Sequence, residues 1–368
     1  MLSEFRRYGR TLAAAAFTLL ITVNLHASPN GNQPVGAPFV PTFTVQTFAT
    51  GTSLGTTQPD SIHYANGSVW VAYQNGADST GLFGSSTVVQ YGPTGSVHNT
   101  WSIAGNVDGL RVDPSGQVWA LQNNDGNSTL TVINPLTHGA TFYTYGSSYT
   151  NVANRGFDDV VFTNGSTYLS ETNPAGNTDP IVLKLTSGLN QPLQISGILN
   201  SQFRGTNLAT GLSASDTITD SDSLILRSNG DLVLTGEADG QLVFIHNAGS
   251  TSQSESFINL LDTHGMPINA KVDDSAFNGK ATQGYFLLTD TGANTVYKIV
   301  VTGLSPNMTF VDVGDEFGSV DLSTGIVTPI FVGTSPHGLV FVTPEPTTLA
   351  LVGGGLVGLV ARRLKKLR

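Results

Sequence analysis

An all-β fold built from repeated sheets is predicted by three observations. One short pattern, an acid leading into an alternating apolar strand, recurs along the chain. It appears at Pro59-Asp60-Ser61-Ile62, Val107-Asp108-Gly109-Leu110, Phe157-Asp158-Asp159-Val160, Ser221-Asp222-Ser223-Leu224 and Val272-Asp273-Asp274-Ser275, and last as Pro336-His337-Gly338-Leu339. The aligned residues stand 48, 50, 64, 51 and 64 positions apart. Each opening is followed by apolar runs of period two, the spacing of strands, bounded by turn residues such as Asn66-Gly67 and Pro114-Ser115-Gly116. The 42 glycines and 17 prolines in 368 residues, with only 11% charged, suit many tight turns better than helices. A repeat of roughly 40–50 residues made of four short strands is the unit of a propeller. The expected fold is therefore a six-bladed β-propeller over residues 42–342, with five or seven blades also compatible with the spacing.

Taken in order, residues 1–27 have the layout of a secretory signal helix. Arg6, Arg7 and Arg10 precede an apolar run over 12–23, and Ala27 supplies a small residue before the expected cut. The Pro/Gly/Asn stretch 28–41 reads as a linker, and 43–48 as a strand standing before the first repeat. Unit one offers strands at 61–65, 68–73, 87–91 and 97–103, and unit two at 109–112, 117–121, 129–133 and 140–145. Unit three continues with 168–171, 181–185 and 193–198, and unit four with 231–236, 241–246 and 256–261. Unit five takes 284–289 and 295–301.

The two spacings of 64 require insertions. The Ser/Thr/Asn/Gly-rich segment 201–219 reads as a surface loop, and 305–336 holds two further strands at 319–322 and 326–332. Blade six opens at His337, directly before the C-terminal tail. Its other strands are expected from 43–48 and from 305–336, which joins both ends of the chain and removes exposed edges.

Charge is distributed unevenly. Residues 28–343 carry 24 acids against 8 bases, a net charge of −16, while eight bases lie near the two ends. So acidic a body repels phosphate backbones, and nucleic acid is not an expected partner. The absence of cysteine excludes disulfides, zinc thiolate sites and thiol catalysis.

The C-terminal segment 343–368 has three parts in order: Pro344-Glu345-Pro346, an uncharged run over 347–361, and the basic cluster Arg362, Arg363, Lys365, Lys366 and Arg368. The apolar run reads as a short hydrophobic helix, and the cluster would hold that end in the cytoplasm. These three parts resemble a PEP-CTERM sorting signal. The resemblance implies export across the inner membrane of a Gram-negative bacterium, transient anchoring in that membrane and processing by an exosortase near Pro344–Pro346. It also implies an outer-surface or matrix location linked to exopolysaccharide or biofilm, with a polysaccharide or surface protein as partner.

The sharpest candidate site is the aligned column Asp60, Asp108, Asp158, Asp222, Asp273 and His337. If each opens the innermost strand of its blade, the six side chains meet at one mouth of the channel. Converging carboxylates are hard oxygen ligands suited to Ca²⁺, and their crowding raises pKa values. A scaffold role is the competing reading, because an Asp before a strand commonly bonds turn N–H groups. The second acids, Asp159 and Asp274, are expected on the opposite side of their strands as turn ligands. Glu171 and Glu237 are expected to close second strands in positions that can face the channel, with no base beside them, and Asp125-Gly126-Asn127 to be a turn. No catalytic residue is assigned, and no Walker loop, nucleophile elbow or dinucleotide fingerprint occurs.

The acid opening followed by Gly116-Gln117-Val118-Trp119-Ala120 is similar to NHL and SMP-30/gluconolactonase-like propellers, and His337 to streptogramin-lyase-type ones. Two functions follow as expectations: an exported, non-enzymatic binding or scaffold propeller, or a divalent-metal-dependent lactonase or lyase.

Overall fold

The run Val69-Trp70-Val71-Ala72-Tyr73 is buried along its whole length, so both of its faces must be covered. Its alternate residues pack in opposite directions. Val69, Val71 and Tyr73 join one apolar cluster with Leu287, Val296 and Val342, whereas Trp70 and Ala72 join another with Val107, Leu110 and Val118. The same division recurs around the molecule. Six apolar clusters each combine two consecutive sheets, so the core is a set of wedges between blades.

The structure, a computed structural model, describes residues 21–22, 41–146, 153–268 and 271–343. It is an all-β, six-bladed propeller. Blade one runs outward from the axis as Pro59–Ala65, Ser68–Tyr73, Ser85–Tyr91 and Val97–Ala104, blade two as Val107–Val112, Val118–Gln122, Thr129–Asn134 and Gly139–Thr144. Blade three is Gly156–Thr163, Ser166–Thr172, Pro180–Leu185 and Ile195–Asn200, and blade four begins with Ser221–Leu226, Leu232–Gly236, Gln241–His246 and Ser254–Asn259. The innermost strands of consecutive blades touch all the way round, which closes the ring.

Closure joins both ends of the chain in blade six, as expected. Its outermost full strand is Thr42–Thr50 and its innermost is Pro336–Val342. Outside Thr42–Thr50, the two residues Ile21–Thr22 pair with Val45 and Thr44. The rest of the expected signal helix and the C-terminal hydrophobic helix fall outside the described residues. Among the described residues no helix is long and apolar enough to cross a membrane.

Two segments differ from the linear reading. Segment 201–219 is not a loop. Gln202–Asn207 and Ser213–Thr217 form a hairpin, and Gln202–Asn207 adds in parallel to the outer edge of blade four through Gly205 opposite Glu255. Phe203 anchors it, buried against Phe257 with ring centroids 5.9 Å apart. The hairpin covers an edge that would otherwise be open to pairing.

Blades five and six also exchange strands. After the short innermost strand Ser275–Phe277, the chain leaves blade five and builds Gln283–Asp290 and Thr295–Thr302 of blade six. It then returns for Thr309–Val313, Glu316–Val320 and Val327–Val332 of blade five. The strands expected to belong to unit five therefore sit in blade six, and those of 305–336 sit in blade five. Aromatic packing fixes this exchange: Phe286 of blade six lies 4.6 Å from Phe310 and 4.9 Å from Phe317 of blade five.

The innermost strands approach one another closely where they start. A Cβ at Gly338 would fall on the carbonyl oxygen of Asp60 in the next blade. Gly338→Val is expected to force the closing strand outward and cost about 2–3 kcal/mol, read as a lower urea midpoint with an unchanged slope.

Candidate functional site

Every innermost strand but one carries a register shift where its aligned residue sits. The shifts fall between Pro59 and Ile62, Val107 and Gly109, Phe157 and Val160, and Ser221 and Leu224. In blade six the shift lies between Leu288 and Asp290, opposite the start of Pro336–Val342. Bulges of this kind bend a strand and re-aim a side chain. Here they turn the aligned residues toward the axis.

All six residues of the column, Asp60, Asp108, Asp158, Asp222, Asp273 and His337, line one axial cavity of about 210 Å³. Asp108, Asp158 and Asp222 come closest, with one carboxylate oxygen from each lying within 4.8 Å of the others. Asp158 is 3% exposed, and its Oδ2 is buried with no hydrogen-bond partner. Asp108 accepts a hydrogen bond from Gln74 Nε2 at 3.0 Å. Across the cavity, His337 Nδ1 lies 3.4 Å from Asp60 and 3.9 Å from Asp273.

Burial is the main cause of the electrostatics. Loss of water raises the Asp60 and Asp273 carboxyls to about 7, and neighbouring carboxylates push the same way. Asp108, Asp158 and Asp222 are held well above the usual carboxylate range by burial first, and then by neighbouring charge: Asp60 beside Asp108, Asp108 beside Asp158, and Asp273 and Asp158 beside Asp222. Ten of the body's acids line this small space, against Arg111, Lys271 and His337.

The second acids do not turn away as expected. Asp159 faces the cavity wall and makes a two-pronged ion pair with Arg111 of blade two, Nε to Oδ1 being 3.2 Å. Its Oδ2 also accepts the Leu224 N–H of blade four at 3.0 Å. Arg111 in turn donates to the carbonyls of Val160 and Leu224 at 3.2 and 3.0 Å. Asp274 repeats the device by accepting the Leu339 N–H of blade six at 2.9 Å. A side chain in a bulge, as at Asp159, or just before a strand begins, as at Asp274, can reach across to the next blade's backbone, which a regular alternation does not allow for.

Glu171 and Glu237 do have bases beside them. Arg155 Nε donates to Glu171 at 2.8 Å, and Lys271 pairs with Glu237 at the cavity wall. Asp125 belongs to a turn but also lines the cavity. Asp113 is a turn residue as expected, accepting the N–H groups of Ser115 and Gln117 at 2.8 and 2.9 Å.

Of an outer ring around the column, the sequence reading picked out only Glu237. Gln74, Asn124, Asn173 and Glu237 each follow the second strand of a blade, and all line the cavity. The signal is the same kind of repetition that marks the openings: a polar residue follows the second strand in each of these four blades.

The strands' far ends form a different space. A cavity of about 730 Å³ is lined there by residues such as Asn66, Pro114, Phe162, Arg227, Phe277 and Thr343. Arg111 contributes to both cavities and so stands between them.

Residues 342–366 match the PEP-CTERM protein-sorting motif. The motif implies an exported protein that is sorted to the cell surface and processed by an exosortase. No curated protein sequence matches the chain. Similar solved structures include a putative gluconolactonase, 12% identical, covering 85% of this chain and 87% of that one with a TM-score of 0.49. The virginiamycin B lyase of Staphylococcus aureus is 13% identical, covering 80% of this chain and 92% of its own, at 0.47. A periplasmic gluconolactonase of Pseudomonas aeruginosa is 13% identical, covering 77% and 88%, at 0.44. The propeller architecture stands on the six sheets themselves.

Proposed function

We propose that this exported propeller is a cation-binding module displayed at the cell surface, holding Ca²⁺ among Asp108, Asp158 and Asp222. The observation that carries this reading is Asp158 Oδ2, buried without a partner beside two further carboxylates. A buried polar atom left unbonded is costly, and an ion within reach of all three oxygens would satisfy it. A divalent cation would also replace the protons that burial keeps on these acids. Held by these three residues, a divalent cation would supply a positive centre for the hydroxyls of a surface polysaccharide.

A calcium titration followed by melting temperature tests the site. At about 100 times the dissociation constant the folded state gains roughly 2.7 kcal/mol, a rise of several degrees. Asp158→Asn should abolish the rise. No shift with calcium, magnesium or manganese at millimolar concentration would remove the site.

One observation favours a second reading, a metal-dependent lactonase or lyase. His337 is the only imidazole in the column and sits between Asp60 and Asp273, an arrangement suited to moving a proton beside a bound cation. Lactone hydrolysis that depends on calcium and is lost in a folded His337→Ala variant would establish it.

A further inference from the structure

The larger cavity, at the strand ends away from the acids, has the opposite character to the body around it. Three of the body's eight lysines and arginines line it: Arg111, Arg227 and Lys280. The one acid in its lining, Asp113, is already occupied by the Ser115 and Gln117 N–H groups and by Trp119 Nε1 at 3.1 Å. In a body with a net charge of −16, so biased a lining marks a place for negative charge.

The three bases are not equally available. Arg111 spends its fork on Asp159 and on the carbonyls of Val160 and Leu224. Arg227 has only a loose ion pair with Asp231, at 4.0 Å. Its guanidinium is laid over the rings of Phe244 and Phe277, 5.3 and 5.0 Å from their centroids, which holds it in place. Lys280 has no ion pair among the described residues. Apolar side chains complete the walls, among them Phe162, Phe277, Phe341 and Leu226, the last 40% exposed.

We propose that this second cavity binds a small organic anion with an apolar or aromatic body. The carboxylate is taken by Arg227 and Lys280, and the body lies against Leu226, Phe277 and Phe341. A volume of about 730 Å³ falls in the range of roughly 300–1,000 Å³ usual for small-molecule sites, which combine apolar walls with a few convergent polar groups. A fixed guanidinium fork suits a carboxylate in particular, because it donates two parallel hydrogen bonds without losing further side-chain freedom. The ligand reads as a monoanion or dianion rather than a polymer, since the surrounding acids repel extended chains of negative charge.

Calorimetry on the full chain with naphthoate and with naphthamide, its neutral isostere, separates charge from apolar contact. Naphthoate should bind about tenfold or more tighter than the amide. Lys280→Gln should reduce naphthoate binding several-fold while leaving the amide unchanged. Leu226→Glu, at an exposed position, should repel naphthoate with no effect on folding. Equal binding of acid and amide, or unaltered naphthoate binding in both variants, overturns the proposal. So does a gain in naphthoate affinity from Glu345→Gln, which would show the cavity to be filled by the chain's own tail.

Discussion

Arg111→Met is expected to lower the stability of the protein by about 3–5 kcal/mol. The substitution keeps a side chain of similar length on the axis but leaves the Asp159 carboxylate buried without its partner. Three blades lose a common tie at once. Arg111 belongs to blade two, Asp159 to blade three, and both bond the backbone of Leu224 in blade four. Much of the loss is the cost of a buried charge with nothing opposite it, so a second change should recover part of it. Asp159→Asn in the same chain keeps an acceptor for the Leu224 N–H and removes the charge. Urea midpoints of both single variants and the double variant measure the coupling. A double variant that simply sums the two losses would show that the pair does not act as a unit.

Without divalent cation, the protein is expected to melt about 5 °C or more higher at about pH 5 than at about pH 8. In the unfolded chain these carboxyls ionise near 3.8, whereas Asp60 and Asp273 ionise at about 7 in the fold and Asp220 and Asp274 at about 6. Between those values the folded state holds protons that the unfolded state has released. Stability therefore falls as pH rises from the unfolded values, and the fall is complete once the folded carboxyls ionise. Between about pH 5 and about pH 8, Asp60 and Asp273 each account for roughly 2–3 kcal/mol of that fall. One group acts against them. His63, held at about 3 by burial and by Arg111, loses stability as pH falls below its unfolded value of 6.5. A single histidine is outweighed by the carboxyls of the cavity. Asp158→Asn should raise the melting point of the metal-free protein at pH 8, since the amide brings neither a buried charge nor the cost of holding a proton there. Calcium should do the same for the unmutated chain and flatten its pH dependence. A melting point that rises from pH 5 to pH 8 in chelator would count against the crowded-acid picture.

The acid column could be read from the sequence because repetition reveals it. Six units place a side chain at one position relative to a strand, and a ring brings equivalent positions together. The same logic located the strands of blades one to four and the closing role of Thr42–Thr50. It failed where spatial neighbours stop being sequence neighbours. The hairpin Gln283–Asp290 and Thr295–Thr302 has the period of any blade, and nothing local says that it pairs with Pro336–Val342 instead of Ser275–Phe277. Likewise 201–219 has loop composition, and only Phe203 and the open edge of blade four make it a hairpin. Arg111 was invisible for a related reason. It occupies an ordinary strand position, and its partners lie 48 and 113 residues away.

The last strand runs away from the acid cavity and ends at Val342, and Thr343 lies at the rim of the basic chamber. The sorting motif begins at that same point. The chain thus leaves the described residues at the end of the axis opposite the carboxylates. On the proposed reading, processing of the tail and cation binding among the carboxylates would take place at opposite ends of the axis, so neither event need disturb the other.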